Sequence, residues 1–281
     1  MKLWVLGVRG STPAPGPEFV RYGGNTSCVA LSVDDDEDAI PSLVLDAGTG
    51  IRRMNRVLCA GTPFTGALLF GHLHWDHTQG LPFSNALDAD DSHVEVFVPA
   101  QPGDGPVEIL SRAMAPPHFP ILPTQLRGSW TFSSMEAGRH SIAGFDVLAL
   151  DIPHKGGRTF GYRVTSTTTG GSMAYLSDHW PISLGPGPDG LGEYHPAVLE
   201  LCTGVDVILH DAHYTAAELP ARKDFGHSAI EYAVELARRC ESTMLLFHHD
   251  PSRTDDALDA LVAEHGVQAA AEGMVLVLPE R

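Results

Sequence analysis

The stretch Ala67-Leu68-Leu69-Phe70-Gly71-His72-Leu73-His74-Trp75-Asp76-His77 decides how this chain is read. Its first four residues form a short apolar run of the length and composition of a buried strand. Three imidazoles and a carboxylate follow within six residues. In an extended segment, side chains i and i+2 point the same way, so His72 and His74 can grip one ion together. A turn into helix then re-aims Asp76 and His77 toward a second ion. Nitrogen donors with one hard oxygen suit Zn²⁺, or a similar borderline divalent ion, better than Ca²⁺ or Mg²⁺. Scattered polar-loop histidines are the plainer alternative, but a His-x-His-x-Asp-His block directly after a strand is rarely accidental.

Working outward, further donors stand just beyond other apolar runs. His154 follows Phe145–Leu150, Asp178 follows Met173–Leu176, and His248-His249-Asp250 follows Met244–Phe247. Strand ends present side chains rigidly, as a preorganised metal site requires. Other strand-like runs are Leu3–Val8, Val29–Val33, Leu43–Leu45, Val94–Val98, Gly161–Val164, Val205–Leu209 and Met274–Leu278. Helices are expected over Ile51–Cys59, over Ile230–Cys240 with a capping box from Ser228 to Glu231, and over Asp255–Glu264 before Gly266. The proline-rich stretch 101–125 reads as an irregular excursion with a helical piece near Glu108–Met114, of the kind that borders a cleft. Strands with helices at intervals suggest an α/β sandwich, and the whole chain, 1–281, reads as one domain.

Composition sets the limits. The chain has 281 residues, 43% of them hydrophobic and 19% charged, as in an ordinary soluble globular protein. No apolar run approaches the roughly 20 residues of a membrane helix. Met1–Val8 is too short and interrupted for a secretory signal, so a cytoplasmic location and no membrane partner are expected. Cys28, Cys59, Cys202 and Cys240 are far apart and suggest no disulfide framework. The formal charge is −17, with only three lysines, Lys2, Lys155 and Lys223. Polyanion binding draws on clustered Lys and Arg, so long nucleic acids are expected to be repelled. A small anionic substrate held by cations is compatible with that charge.

In these residues the chain resembles the metallo-β-lactamase superfamily, and within it the ribonuclease Z-like phosphodiesterase branch. The resemblance spans nearly the whole chain. It is carried by Gly7-Val8-Arg9-Gly10-Ser11, Leu45-Asp46-Ala47-Gly48-Thr49-Gly50, the His72–His77 block, His154 with Phe160-Gly161-Tyr162-Arg163, Tyr175-Leu176-Ser177-Asp178, Leu209-His210-Asp211-Ala212, Gly226-His227-Ser228 and Phe247-His248-His249-Asp250. It implies a four-layer αββα sandwich with two divalent ions at one edge, Zn²⁺ first and Mn²⁺ as the alternative. His72, His74 and His154 would hold one ion, and Asp76, His77 and His249 the other, with Asp178 bridging. His249 is preferred over His248 because the family pattern leaves the residue before the ligand variable. Asp178 stands where true β-lactamases often carry Cys, which favours phosphoester or lactone hydrolysis over lactam cleavage. A homodimer is common among such relatives.

Two ions about 3.5–4 Å apart share a water and lower its pKa toward neutrality. Asp76 both ligates and orients that nucleophile. By family analogy His227 protonates the leaving group, and His210 and Asp211 support the imidazoles from behind. Lys155, Arg158 and Arg253 stand near ligands and are candidates for substrate phosphate. Ribonuclease Z proteins carry a basic arm between the counterparts of His154 and Asp178. Only 23 residues separate those positions here. A compact phosphodiester such as a cyclic nucleotide is therefore the expected substrate, with lactone hydrolysis second. Transfer RNA processing, or a metal-stabilised binding role without turnover, ranks behind both.

Overall fold

Single strands of this protein feed two apolar layers at once. In Val207–Asp211, Val207 and Leu209 enter one core while Ile208, between them, enters another. Thr243–Phe247 and Thr65–Leu69 split in the same way, with Leu246 and Leu68 facing outward from the central layer. That is the two-residue period of a sheet covered on both faces. The computed structural model describes residues 1–58 and 61–280. Cys59, the end of the helix expected over Ile51–Cys59, lies outside them.

In chain order the strands are β1 (Lys2–Gly7), β2 (Cys28–Ser32), β3 (Leu43–Leu45), β4 (Thr65–Leu69), β5 (His93–Pro99), β6 (Ser129–Met135), β7 (Gly138–Ile142), β8 (Phe145–Asp151), β9 (Phe160–Ser166), β10 (Ser172–Leu176), β11 (Val207–Asp211), β12 (Thr243–Phe247), β13 (Gln268–Ala269) and β14 (Val275–Val277). One sheet has the order β14-β1-β2-β3-β4-β5-β6 and the other β13-β12-β11-β10-β9-β8-β7. Strands β3 to β6 run parallel, as do β10 to β13. The two sheets face each other across a core that includes Leu3, Leu31, Leu69, Phe145, Tyr162, Tyr175, Leu209 and Phe247.

Helices cover both outer faces. The short helices α1 (Met54–Val57), α2 (Trp75–Thr78) and α3 (Pro106–Ser111) lie with the first sheet, where Met54, Leu68, Val96 and Leu110 share a cluster. Helices α4 (Pro196–Cys202), α5 (Leu219–Arg222) and α6 (Ile230–Cys240) cover the second, with Leu201 and Leu236 packed on Leu176 and Ile208. The last helix, α7 (Asp255–His265), starts on a Thr254 hydroxyl that accepts from the Ala257 amide and stops at Gly266 with φ +63°. The expected four-layer αββα sandwich is therefore what the chain forms.

Three local expectations are corrected. Helix α6 begins after Ala229, one residue past the expected Ser228 cap, so its N-cap has no side-chain acceptor, and Glu231 accepts from the Ala216 amide instead. Residues 49–53 form a 3₁₀ turn, so only Met54–Val57 of the expected first helix is α-helical. Strands β6 and β7 were not expected. Each ends a sheet with one polar, exposed edge, and neither carries an apolar run. No helix among the described residues is long and apolar enough to cross a membrane.

Leu209 is fully buried between the sheets. Leu209→Ala is expected to cost about 2–5 kcal/mol, read as a lower urea midpoint at unchanged slope for metal-free protein. A loss under about 0.5 kcal/mol would mean the inter-sheet core is not closed there.

Candidate metal centre

One edge of the sandwich collects the ends of same-direction strands. His72 follows β4, His154 follows β8, Asp178 follows β10, Asp211 ends β11 and His248 follows β12. The block 72–77 changes geometry midway, as expected. His74 is the extended N-cap of α2, and Asp76 and His77 occupy that helix's single turn. His72, His74, His154 and Asp178 form one group of donor atoms, and Asp76, His77 and His248 form a second.

Asp178 joins them. Its Oδ1 lies 3.6 Å from His154 Nε2, 3.9 Å from His72 Nε2 and 3.3 Å from His248 Nε2. Its Oδ2 lies 2.9 Å from His77 Nε2, which is also 3.1 Å from Asp76 Oδ2. His154 Nε2 and His74 Nδ1 approach to 3.3 Å. Both nitrogens of His72, and Nε2 of His77 and His248, are buried without a hydrogen-bond partner, as is Asp178 Oδ2. Buried polar atoms are almost always partnered. Nε2 of His72, His77 and His248 and Oδ2 of Asp178 turn toward one small volume, which fits a donor set built for cations.

The opposite nitrogens of His77, His154 and His248 are tied down, as a metal-binding imidazole would need. Asp46, at the end of β3 with φ +59°, accepts from His77 Nδ1 at 2.7 Å, Tyr175 Oη at 2.8 Å, Ser177 Oγ at 3.3 Å and the Gly71 amide at 2.8 Å. His154 Nδ1 donates to the Gly226 carbonyl, and His248 Nδ1 pairs with Ser27 Oγ at 2.9 Å. The Ser11 amide donates to Asp76 Oδ2 at 2.8 Å. A Cβ on Gly10 would collide with the His248 ring, so that position must stay bare.

Burial sets the protonation of the imidazoles. It pushes His72 well below its usual range, His154 down to about 4 and His248 to about 3, leaving neutral rings with free lone pairs. At His77 burial also lowers the pKa, but the Asp76 and Asp178 carboxylates override it and raise the ring well above normal. Burial favours protonating Asp178, yet the facing His248 and His77 keep it well below the carboxylate range. Positive charge is thus demanded between two carboxylates and His77, whether a proton or a cation supplies it. Beside them, burial lowers His227 but Asp211, 3.0 Å from its Nδ1, raises it to about 9. Burial also lifts Asp211 to about 6, so the pair shares one proton near neutrality.

Most expected site residues come together: His72, His74, Asp76, His77, His154, Asp178 and His227 line one edge. His249 does not, and this corrects the expectation that it is a ligand. Its backbone pairs with Val8 and Gly10, while Nε2 donates to the Ala270 carbonyl at 3.0 Å. His248, held in a left-handed conformation with φ +54°, swings into the cluster instead. The expected phosphate contacts are engaged elsewhere. Lys155 Nζ donates to the Asp224 carbonyl, Arg158 pairs with Asp151 and Glu136, and Arg253 pairs with Glu218. Sequence reasoning missed Asp46 as the anchor of His77, although Asp46-Ala47-Gly48 directly after an apolar strand was its signal. It also missed His213, which stacks on His227 at 4.2 Å and donates Nδ1 to the His248 carbonyl. Of the expected supports, Asp211 touches His227 directly, and His210 lies one step back, with Nδ1 donating to the Asp211 carbonyl and Nε2 facing His179.

Comparison with known proteins bears on the family and the fold. A family model described as a beta-lactamase superfamily domain matches residues 42–249. A ribonuclease Z of Listeria welshimeri is 24% identical, over 94% of this chain and 93% of its own length. Human tRNase Z, short form, superposes with a TM-score of 0.68 at 20% identity, covering 99% of this chain and all of that one. Zinc-bound PqqB of Methylobacterium extorquens superposes with a TM-score of 0.70 at 16% identity, covering 99% and 100%.

The ribonuclease Z relative and the likeness to human tRNase Z overturn the expectation that long nucleic acids are excluded. A full-length relative is named a ribonuclease despite that reasoning from charge. Net charge sums over the whole surface, whereas recognition depends on the local field, which bound cations would dominate at this edge.

His248→Ala is expected to lower bound zinc by elemental analysis. His249→Ala, which removes only the hydrogen bond to Ala270, should retain full metal content with lower thermal stability. The reverse pattern would restore His249 as the ligand.

Proposed function

Because the chain belongs to the beta-lactamase superfamily domain family, with the metallo-β-lactamase fold, we propose that it is a divalent-metal-dependent phosphodiesterase acting on nucleotide phosphodiesters. That it is a hydrolase of this superfamily follows from the family and its relatives. The substrate's phosphodiester belongs either to a free nucleotide, cyclic ones included, or to a nucleic acid. The observation that supports the reading best is Asp178, one carboxylate within reach of both donor groups.

In this reading His72, His74 and His154 would hold one Zn²⁺, and Asp76, His77 and His248 another, with Asp178 shared; Mn²⁺ is the alternative ion. When bound, such ions supply Lewis acidity, lowering the pKa of water and neutralising charge on phosphoryl oxygens. The remaining steps belong to side chains. Asp76, fixed by the Ser11 amide, orients the attacking water through its carboxylate. His227 lines a cleft of about 470 Å³ together with His74, Asp76 and Asp178. Its proton, kept on Nε2 while Nδ1–H points to Asp211, goes to the leaving oxygen. His213, stacked on the His227 ring, restrains its tilt.

The test is a substrate panel on zinc- and manganese-loaded protein: bis(p-nitrophenyl) phosphate, cyclic nucleotides, precursor transfer RNA and acyl-homoserine lactones. Phosphodiester turnover that a strong chelator abolishes and added metal restores is expected; turnover of lactones alone would sink the reading. His227→Ala should lower kcat about 10²- to 10⁴-fold while metal content stays normal. Loss of metal in that variant would make His227 a support for the ligands instead of a proton donor.

A further inference from the structure

Leu73 and Trp75 alternate with the donor residues and line two adjoining spaces. One is the cleft that holds Asp76, Asp178 and His227. The other is an apolar groove of about 500 Å³, which falls in the roughly 300–1,000 Å³ range of small-molecule sites. Phe83 and Phe119 meet edge to face in its wall at 5.8 Å and 88°. Trp75 is 74% exposed and Phe83 53% exposed. Trp75 cannot turn inward, because its chain neighbours His74 and Asp76 are donors whose aim the single turn of α2 fixes. Large apolar surface kept exposed beside a reactive cleft marks a binding site.

Charge around the cleft points the same way. Arg112, on the groove's rim, is paired with Asp104, and Arg158 and Arg253 are paired as described above. Of the cations near the cleft, Lys155 keeps its charge, since its Nζ donates only to the Asp224 carbonyl. The groove itself offers a ligand mainly apolar contact.

We propose, resting on the phosphodiesterase reading, that this groove holds a planar aromatic ring of the substrate, a nucleobase or aryl group. The ring stacks against Trp75 with Phe83 and Phe119 beyond it. The groove thereby selects ring-bearing phosphodiesters over aliphatic ones.

The experiment is calorimetric titration of zinc-loaded protein with two matched pairs of equal charge. These are adenosine 5′-monophosphate against ribose 5-phosphate, and phenylphosphonate against methylphosphonate. The ring-bearing member is expected to bind about 5- to 150-fold more tightly, the value of one base–aromatic stack. Phe83→Ala and Trp75→Leu should each erode that preference with zinc stoichiometry unchanged. Should Trp75→Leu lose zinc, Phe83→Ala, outside the donor block, decides the matter. Equal binding within both pairs, or a preference that survives Phe83→Ala, overturns the proposal. Binding is read here without turnover, so the two readings fail separately. Ring preference without phosphodiester hydrolysis sinks the function, and hydrolysis without ring preference sinks the groove.

Discussion

Two carboxylates with almost no access to water, Asp76 and Asp178, face imidazoles whose inward nitrogens have no other partner. Burying an ionised carboxylate costs several kcal/mol unless charge or hydrogen bonds answer it. The answer cannot come from Lys or Arg, because no ion pair joins either carboxylate to such a side chain among the described residues. Burial also resists putting protons on most of the rings. A donor set of this kind is stable in its folded arrangement when cations complete it, and metal binding then becomes part of the folding free energy.

The scaffold exists to hold that arrangement still. His72, His154, Asp178 and His248 come shortly after strands, while His74, Asp76 and His77 sit at and in the single turn of α2. Their outward nitrogens are fixed in turn by atoms from other elements: Asp46 from β3, the Gly226 carbonyl before α6, and Ser27 before β2. Asp46 does most, since a single buried carboxylate orients His77 and ties Tyr175 and Ser177 of the second sheet to the first. It accepts four hydrogen bonds, one of them from the His77 ring, whose positive charge it helps to favour. Between the sheets the packing is mainly apolar, with polar contacts at this edge and a few at the far one, such as Ser166 Oγ to the Val33 carbonyl and Ser42 Oγ to the Ala143 carbonyl.

What could be read in the sequence follows from what each signal depends on. Apolar runs and the His72–His77 spacing are local, and the strands and the change from extended to helical geometry came out as expected. The choice between His248 and His249 is not local. It turns on a left-handed residue after β12 and on backbone pairing of His249 with the segment around Arg9, more than two hundred residues away. A pattern of variable and fixed positions misses by one residue when the backbone turns at the site itself. Strands β6 and β7 escaped notice because partners on one side, not apolar residues of their own, make them strands. The exclusion of nucleic acid failed for a related reason: it read a sum over the surface as a property of one edge.

Placing ligands on alternate residues also constrains the residues between them. In the block 72–77, His72, Asp76 and His77 are buried, while Leu73, His74 and Trp75 reach the cleft, and Leu73 and Trp75 also line the groove beside it. Leu73 stays half-covered against the apolar cluster beneath the first sheet, while Trp75 stands free. Under the proposed reading, the segment that brings the donors together also sets an apolar surface for the substrate directly beside them.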